Sequence, residues 1–402
     1  MAKPMFLRQS LWHFRISLAK LLVGSKATSP HFAFIGAGST GHLCSRIAES
    51  GHRDVLVVTD GPLRELGLAD SAVAPLSSKG VRLHWYDGVK PDPTFTHVRE
   101  GAEVLKSGNA TAVLAVGGGS SIDAAKMIAL MAEADSEPES WVGFQKAPED
   151  AAPIYVIPTT AGTGSEATMG AVITDENDHS KNVISGSAML PRAVALDPDL
   201  MLGLPPMITA ATGMDALTHG VEAYIGRWER GTRRETASMC IRGVFEWLPR
   251  VLAEPDNAEA RLGMAVAAYY GGVAINQVNV GSIHAIAHQL GSLYHLPHGV
   301  ANNMVMPHLL RVYGPCAEAK LAELGPLMGI DAAQSDAAAR VIDAIELLGV
   351  NSNLPTTCDA ISKKDYPLLI SRAVEESDGY VSPRLLTEGD VASVLDRISA
   401  QT

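Results

Sequence analysis

Four of the chain's thirteen histidines, His284, His288, His295 and His298, fall within fifteen residues, in a stretch filled with apolar and small residues instead of the charges of a solvated face. Imidazole at that density points to metal ligation or proton transfer. His284 and His288 are four apart and share a face of any helix that carries them. His298 precedes Gly299, where a turn of the chain would swing its ring back toward the other two. A carboxylate would complete a tetrahedral set, and Asp215 stands upstream at i, i+4 spacing from His219. On the residues alone, one mononuclear metal is held by two separate segments, and spacing does not distinguish His284 from His288.

A second chemistry is written in glycines. The strand-like Phe32–Ile35 runs into Gly36-Ala-Gly38-Ser-Thr-Gly41, and a second strand, Val55–Thr59, ends at Asp60. That is the spacing and context of a dinucleotide fingerprint, in which the acidic residue binds a ribose. A competing loop follows the apolar run Ala112–Val116: Gly117, Gly118, Gly119, Ser120, Ser121 and, one turn on, Asp123, opening an alanine-rich helix. Three glycines let backbone approach a diphosphate, and the free amides and positive end of the helix favour its charge. A third strand, Pro153–Ile157, empties into Thr159, Thr160 and Thr163. Loops past the C-terminal ends of parallel strands line one ligand crevice, so these read as parts of one cofactor site.

The elements that must position these groups fall into two halves. With 402 residues the chain exceeds one ordinary core, and 47% apolar against 19% charged residues, with 37 glycines, is the profile of an α/β enzyme. The expected fold is an α/β, Rossmann-like parallel-sheet domain over residues 31–203, binding the dinucleotide, followed by an all-α helical domain over 204–402 carrying the metal. The texture changes near Leu204-Pro205-Pro206, beyond which strand-like runs largely vanish. A formal charge of −12 argues against a nucleic-acid surface. Cys44, Cys240, Cys316 and Cys358 form no C-x-x-C pair, which fits a reducing compartment. No run of eighteen apolar residues suggests a membrane span. Residues 1–30 are basic and free of acidic residues, with Leu7, Leu11, Phe14, Leu18 and Leu21 at helical spacing. They read as an amphipathic helix packed on its own domain or a neighbouring subunit, with targeting or membrane-surface contact left open.

Four motifs together resemble the iron-containing, group III alcohol dehydrogenase family: Gly117–Lys126, Pro158–Glu166, Gly213–His219 and His284–Gly299. The resemblance runs from about residue 31 to the C-terminus. It implies that Asp215, His219, His284 and His298 are metal ligands, while His288 lies by the substrate and relays protons. It places the pyrophosphate on Gly117, Gly118 and Gly119 with Ser120 and Asp123 nearby, Thr159, Thr160 and Thr163 around the cofactor, Lys181 by the nicotinamide ribose and Asp60 on the adenosine ribose. A carboxylate at Asp60 accepts from the ribose hydroxyls of NAD and repels the 2′-phosphate of NADP, so NAD is the expected cofactor.

The metal is expected to be Fe(II), as the family name suggests, with Zn(II) as the other candidate on affinity order. The implied reaction is interconversion of small primary alcohols or diols and aldehydes by hydride transfer, the metal polarising the substrate oxygen. A hydroxyacid-oxoacid transhydrogenase or maleylacetate-type reductase of the same superfamily is the alternative. Gly170, Ile275, His295 and the segment Asp378–Arg384 depart from the family's usual residues, which bears on the substrate. The expected partners are a small alcohol or aldehyde and further copies of the chain, as a homodimer or larger homo-oligomer, in the cytoplasm.

Overall fold

The computed structural model describes residues 8–14, 17, 31–134, 136–228, 232–331 and 333–399. The chain forms two compact units: Thr28–Pro205 with Ala253–Gly272, and Met1–Ala27 with Pro206–Leu252 and Val273–Thr402. The segment Ala253–Gly272, which the sequence reading places in the helical half, groups with the sheet.

In the sheet unit, β1 (Phe32–Ile35), β2 (Asp54–Asp60), β3 (Arg82–Val89), β4 (Ala112–Gly117), β5 (Ile154–Pro158) and β8 (Ala193–Leu196) form one parallel sheet in the order β1-β8-β5-β4-β2-β3. The near-continuous apolar runs of β2, β4 and β5 follow from burial on both faces. Alternate residues divide between two cores, Leu56, Val58, Val113, Ala115, Ile154 and Val156 on one side, and Val55, Val57, Leu114, Val116, Tyr155 and Ile157 on the other. A separate antiparallel hairpin joins β6 (Gly170–Thr174) to β7 (Lys181–Ser185).

The strand order corrects one expectation. A dinucleotide fingerprint requires its first two strands to be neighbours, but β1 lies at the sheet edge beside β8, while β2 pairs with β3 and β4. The amides that would meet a phosphate in the loop Gly36–Gly41 are committed: the N–H groups of Gly38 and Thr40 donate to the Asp197 carboxylate at 3.3 and 3.1 Å. From β2 the chain moves outward to β3, then returns to the other side of β2 for β4, β5 and β8. The reversal lies between β2 and β4, and crevices at such points are where parallel sheets take ligands.

The other unit is built of helices. Those that matter for the chemistry, beginning with the one after β4, are α1 (Gly119–Leu130, in the sheet unit), α2 (Pro206–Ile225), α3 (Ser282–Tyr294), α4 (His298–Tyr313) and α5 (Tyr366–Ser377). Within this unit residues 8–14 are helical and docked: Trp12 is 3% exposed and its indole N–H donates to the Tyr380 carbonyl at 3.0 Å. Arg8 pairs with Asp378 at 2.6 Å. Of the anticipated apolar stripe, Leu11 and Phe14 are 41% and 64% exposed. Leu7, Leu18 and Leu21 lie outside the described residues. Among the described residues no helix is long and apolar enough to cross a membrane.

Candidate metal centre and cofactor loops

Asp215, His219 and Glu222 follow one another at i, i+4 and i+7 on α2, so they share one face. That helix is buried almost all round, which puts all three groups inside the helical unit. Opposite them, α3 begins after Gly281 and carries His284 and His288. It ends where His295 takes a left-handed conformation at φ 54°, its N–H donating to the Gly291 carbonyl. The reversal of the chain is thus made at His295, and His298 opens α4 behind Pro297.

Gly299 is needed for a different reason than a turn. A Cβ there would sit 2.0 Å from the Ala211 carbonyl oxygen on α2, so only glycine lets the start of α4 come close enough to bring His298 to Asp215.

One oxygen of Asp215 is the hub. It lies 3.2 Å from His298 Nε2, 3.6 Å from His284 Nε2 and 3.7 Å from His219 Nε2. Ligand atoms of Asp215, His284 and His298 all fall within 4.8 Å of one another, whereas His219 is at the margin, its ring stacked on His284 at a 4.9 Å centroid distance. The set is buried except for His298, whose side chain is 40% exposed and gives the cluster its open side. The Asn302 amide, one turn beyond His298, donates to Asp215 at 2.8 Å and lies 3.2 and 3.3 Å from Nε2 of His298 and His284. A carboxylate oxygen and imidazole nitrogens converging on one point, with an N–H donor drawn among them, is a donor set that fits a divalent cation.

Glu222 holds this arrangement. Its carboxylate accepts from His284 Nδ1 at 2.6 Å and from the backbone N–H groups of Gly281 and Ile283 at 2.7 and 2.6 Å. His284 therefore carries its hydrogen on Nδ1 and presents Nε2 to the cluster, the orientation a metal-binding imidazole needs. Burial opposes a charge on His284, but Glu222 and Asp215 outweigh it and push its pKa up to about 9. Burial drives His219 down to about 4, so it is neutral and ready to ligate. Burial also opposes ionisation of Asp215, yet the surrounding histidines hold its carboxyl well below the usual carboxylate range.

His288 sits apart from that hub despite sharing a face with His284. Its Nδ1 bonds Glu376 on α5 at 2.6 Å, and its ring stacks on His298 at 5.3 Å. The sequence reading did not single out Glu222, Asn302 or Glu376. The first two had a local signal, at i+7 from Asp215 and i+4 from His298; Glu376 had none.

In the sheet unit the register sets Val58 of β2 opposite Ala115 of β4, and Gly117 opposite Pro158 of β5. Asp60, Gly117, Gly118, Gly119, Thr159 and Thr160 thereby gather at the C-terminal ends of three adjacent strands. The two loops interlock: a Cβ on Gly119 would lie 2.6 Å from Thr163 Cγ2, and one on Gly118 3.3 Å from Thr160. Gly118 is the N-cap of α1 and no side chain caps the helix, which leaves its first-turn amides uncommitted to a cap; Ser120 stands in that first turn.

The remaining candidates are already engaged. Asp123 accepts from the Ser165 hydroxyl and from the Val172 N–H at 2.9 Å, tying α1 to β6. Asp60 is half-buried, which raises its carboxyl pKa, and it accepts from the Leu63 N–H at 2.9 Å. Lys181 pairs with Asp92 and donates to Thr174 at 3.0 Å, two partners outside the glycine and threonine loops. Lys126, fully buried, donates to Ser165, Thr168 and the Gly170 carbonyl and fastens the third loop.

This geometry agrees with comparisons that cover most of the chain. Residues 30–198 match the model of iron-containing alcohol dehydrogenase, and residues 209–399 the model of the Fe-containing alcohol dehydrogenase family, C-terminal. Alcohol dehydrogenase 4 of Schizosaccharomyces pombe is 36% identical over 91% of this chain and 87% of its own length. The NAD-dependent methanol dehydrogenase of Bacillus methanolicus is 33% identical over 91% and 97%. The crystal structure of a 1,3-propanediol oxidoreductase superposes with a TM-score of 0.88 at 34% identity, covering 93% of this chain and all of that one. The chain belongs to the iron-containing alcohol dehydrogenase family.

Proposed function

We propose that the chain is an NAD-dependent dehydrogenase of small primary alcohols, diols and the matching aldehydes, working with Fe(II) held by Asp215, His219, His284 and His298. The observation that carries this reading is the convergence of Asp215, His284 and His298 on one point, open to solvent on the His298 side. When bound, the cation supplies Lewis acidity that favours an alkoxide over an alcohol, while NAD takes up or returns the hydride. Glu222 keeps His284 facing that point, and Asn302 holds Asp215. His288, beside the ligands but turned to Glu376, receives the alcohol proton and passes it to solvent. The uncapped start of α1 with Gly117, Gly118, Gly119 and Ser120 takes the pyrophosphate, and Thr159, Thr160 and Thr163 bond the cofactor's hydroxyls and carboxamide. Asp123 stands near the pyrophosphate and Lys181 by the nicotinamide ribose. Asp60 discriminates against the 2′-phosphate of NADP from the β2 end.

The chain acts as a homo-oligomer: β1 is a sheet edge with Phe32 and Ile35 more than half exposed, an edge that an isolated chain leaves wet. Docking of residues 8–14 through Trp12 and Arg8 makes that segment part of the folded enzyme, in keeping with a cytoplasmic protein. Light scattering measures the oligomer.

The deciding experiment is a panel of alcohols and aldehydes with NAD(H) and NADP(H), on protein stripped by chelation and reloaded with Fe(II) or Zn(II). Activity is expected only after reloading, with NAD preferred. Full activity in the chelated protein or in His284→Ala overturns the metal assignment, and a wild-type preference for NADP overturns that of Asp60. Asp60→Gly is expected to raise NADP use sharply.

A further inference from the structure

We propose that Glu376 is the positioning residue of His288, fixing its ring orientation and keeping its hydrogen on Nδ1. The inference rests on the reading of His288 as proton relay. An ionised carboxylate only accepts hydrogen bonds, so the 2.6 Å contact between Glu376 Oε1 and His288 Nδ1 requires Nδ1 to donate. That leaves Nε2 as the atom that exchanges a proton with the alcohol or a water. Without a partner, the ring rotates about its side-chain bonds and samples both tautomers, and only part of the population is competent.

Glu376 is itself immobilised. The Tyr380 hydroxyl donates to the same Oε1 at 2.6 Å, and the Gln289 amide donates to Oε2 at 2.7 Å. Gln289 follows His288 on α3, so one carboxylate clamps two successive side chains of that helix. Tyr380 is 5% exposed, and burial together with the carboxylate holds its hydroxyl well above the ordinary phenol range, so it stays a donor and does not act as a competing base. Its backbone is anchored in turn by the Trp12 indole, and neighbouring Asp378 by Arg8.

The test uses the full chain. In metal-free protein labelled with ¹⁵N-histidine, a downfield, exchange-protected ring N–H resonance that disappears in His288→Ala is expected, beside the one from His284, which donates to Glu222; a wild-type spectrum from which His288→Ala removes no such resonance overturns the proposal whatever the other variants do. In the reloaded enzyme, Glu376→Ala is expected to lower kcat about 10- to 100-fold with KM and metal content nearly unchanged, and to lose the resonance. Glu376→Gln, which keeps the acceptor, is expected to restore most of both. The double variant with His288→Ala is expected to be no slower than His288→Ala alone, since both remove one function. Wild-type kcat in Glu376→Ala, with His288→Ala slow, overturns the role of Glu376. Wild-type kcat in His288→Ala overturns the relay reading itself.

Discussion

Replacing Glu222 by Gln tests whether the metal cluster depends on the carboxylate behind it. Gln keeps the shape and one acceptor oxygen but turns an N–H₂ toward donors. Three donors converge on Glu222, from Gly281, Ile283 and His284, all at 2.6–2.7 Å, and one oxygen cannot serve them all. A buried donor left unmet costs about 1–3 kcal/mol, and loss of negative charge at the start of α3 adds ~0.3–1 kcal/mol. In the metal-free protein the variant is therefore expected to lose about 1–4 kcal/mol of unfolding free energy, measured in urea. Metal affinity, measured by competition with a chelator, is expected to fall about 10- to 100-fold because His284 Nε2 is no longer held toward Asp215.

The pH dependence has a definite sign. His284 has a folded pKa pushed up to about 9 from 6.5, so its contribution is full below 6.5 and is lost as pH rises through about 9. The stability gap between wild type and variant in the metal-free state should be largest in mild acid and shrink toward alkaline pH. Wild-type metal affinity together with a wild-type urea midpoint at pH 6 would refute the assignment of Glu222 as the orienting group.

Three further outcomes are expected. Gly299→Ala forces a methyl to 2.0 Å from the Ala211 carbonyl oxygen and should separate α4 from α2; it is expected to lower metal affinity more than it lowers nucleotide affinity, as read by chelator competition and NADH fluorescence titration. Burial pushes the Glu166 carboxyl up to about 7 from 4.5, so the stability of its neutral form is present below 4.5 and lost as pH rises through 7; Glu166→Gln should match wild type in urea at pH 4.5 and exceed it by up to ~3 kcal/mol at pH 8.5. Trp12→Ala removes a 3% exposed indole and its bond to the Tyr380 carbonyl, and is expected to cost about 3–5 kcal/mol of stability, measured by urea unfolding, and to lower kcat by loosening the segment behind Glu376.

Much of the site was legible along the chain because its parts are local. Asp215 with His219, and His284 with His288, are one helical turn apart, and a shared face follows from helix geometry whatever the fold. Gly117, Gly118 and Gly119 after an apolar run announce a strand opening into a helix for equally local reasons. The family resemblance added roles that spacing could not assign, notably the separation of His288 from His284.

Tertiary structure decided what depends on neighbours distant in sequence. Two glycine loops competed along the chain, and the strand order adds that the loop after β1 lies at the sheet edge with its amides spent on Asp197, while that after β4 lies at the chain's reversal. Gly299 read as a turn because glycine often is one; its contact with Ala211, 88 positions away by residue number, shows that close helix packing is the reason, and the turn falls to His295. Glu222 and Asn302 sat at helical spacing from recognised ligands but carried no meaning until their partners were in place. Glu376 could not be read at all. The sequence by itself determined which chemical groups this protein has and which of them share a helix face, since backbone periodicity is a local property. Which imidazole faces the carboxylate of Asp215 and which faces Glu376 was decided only when α2, α3, α4 and α5 packed together, because hydrogen-bond partners belong to the assembled interior and not to any one segment.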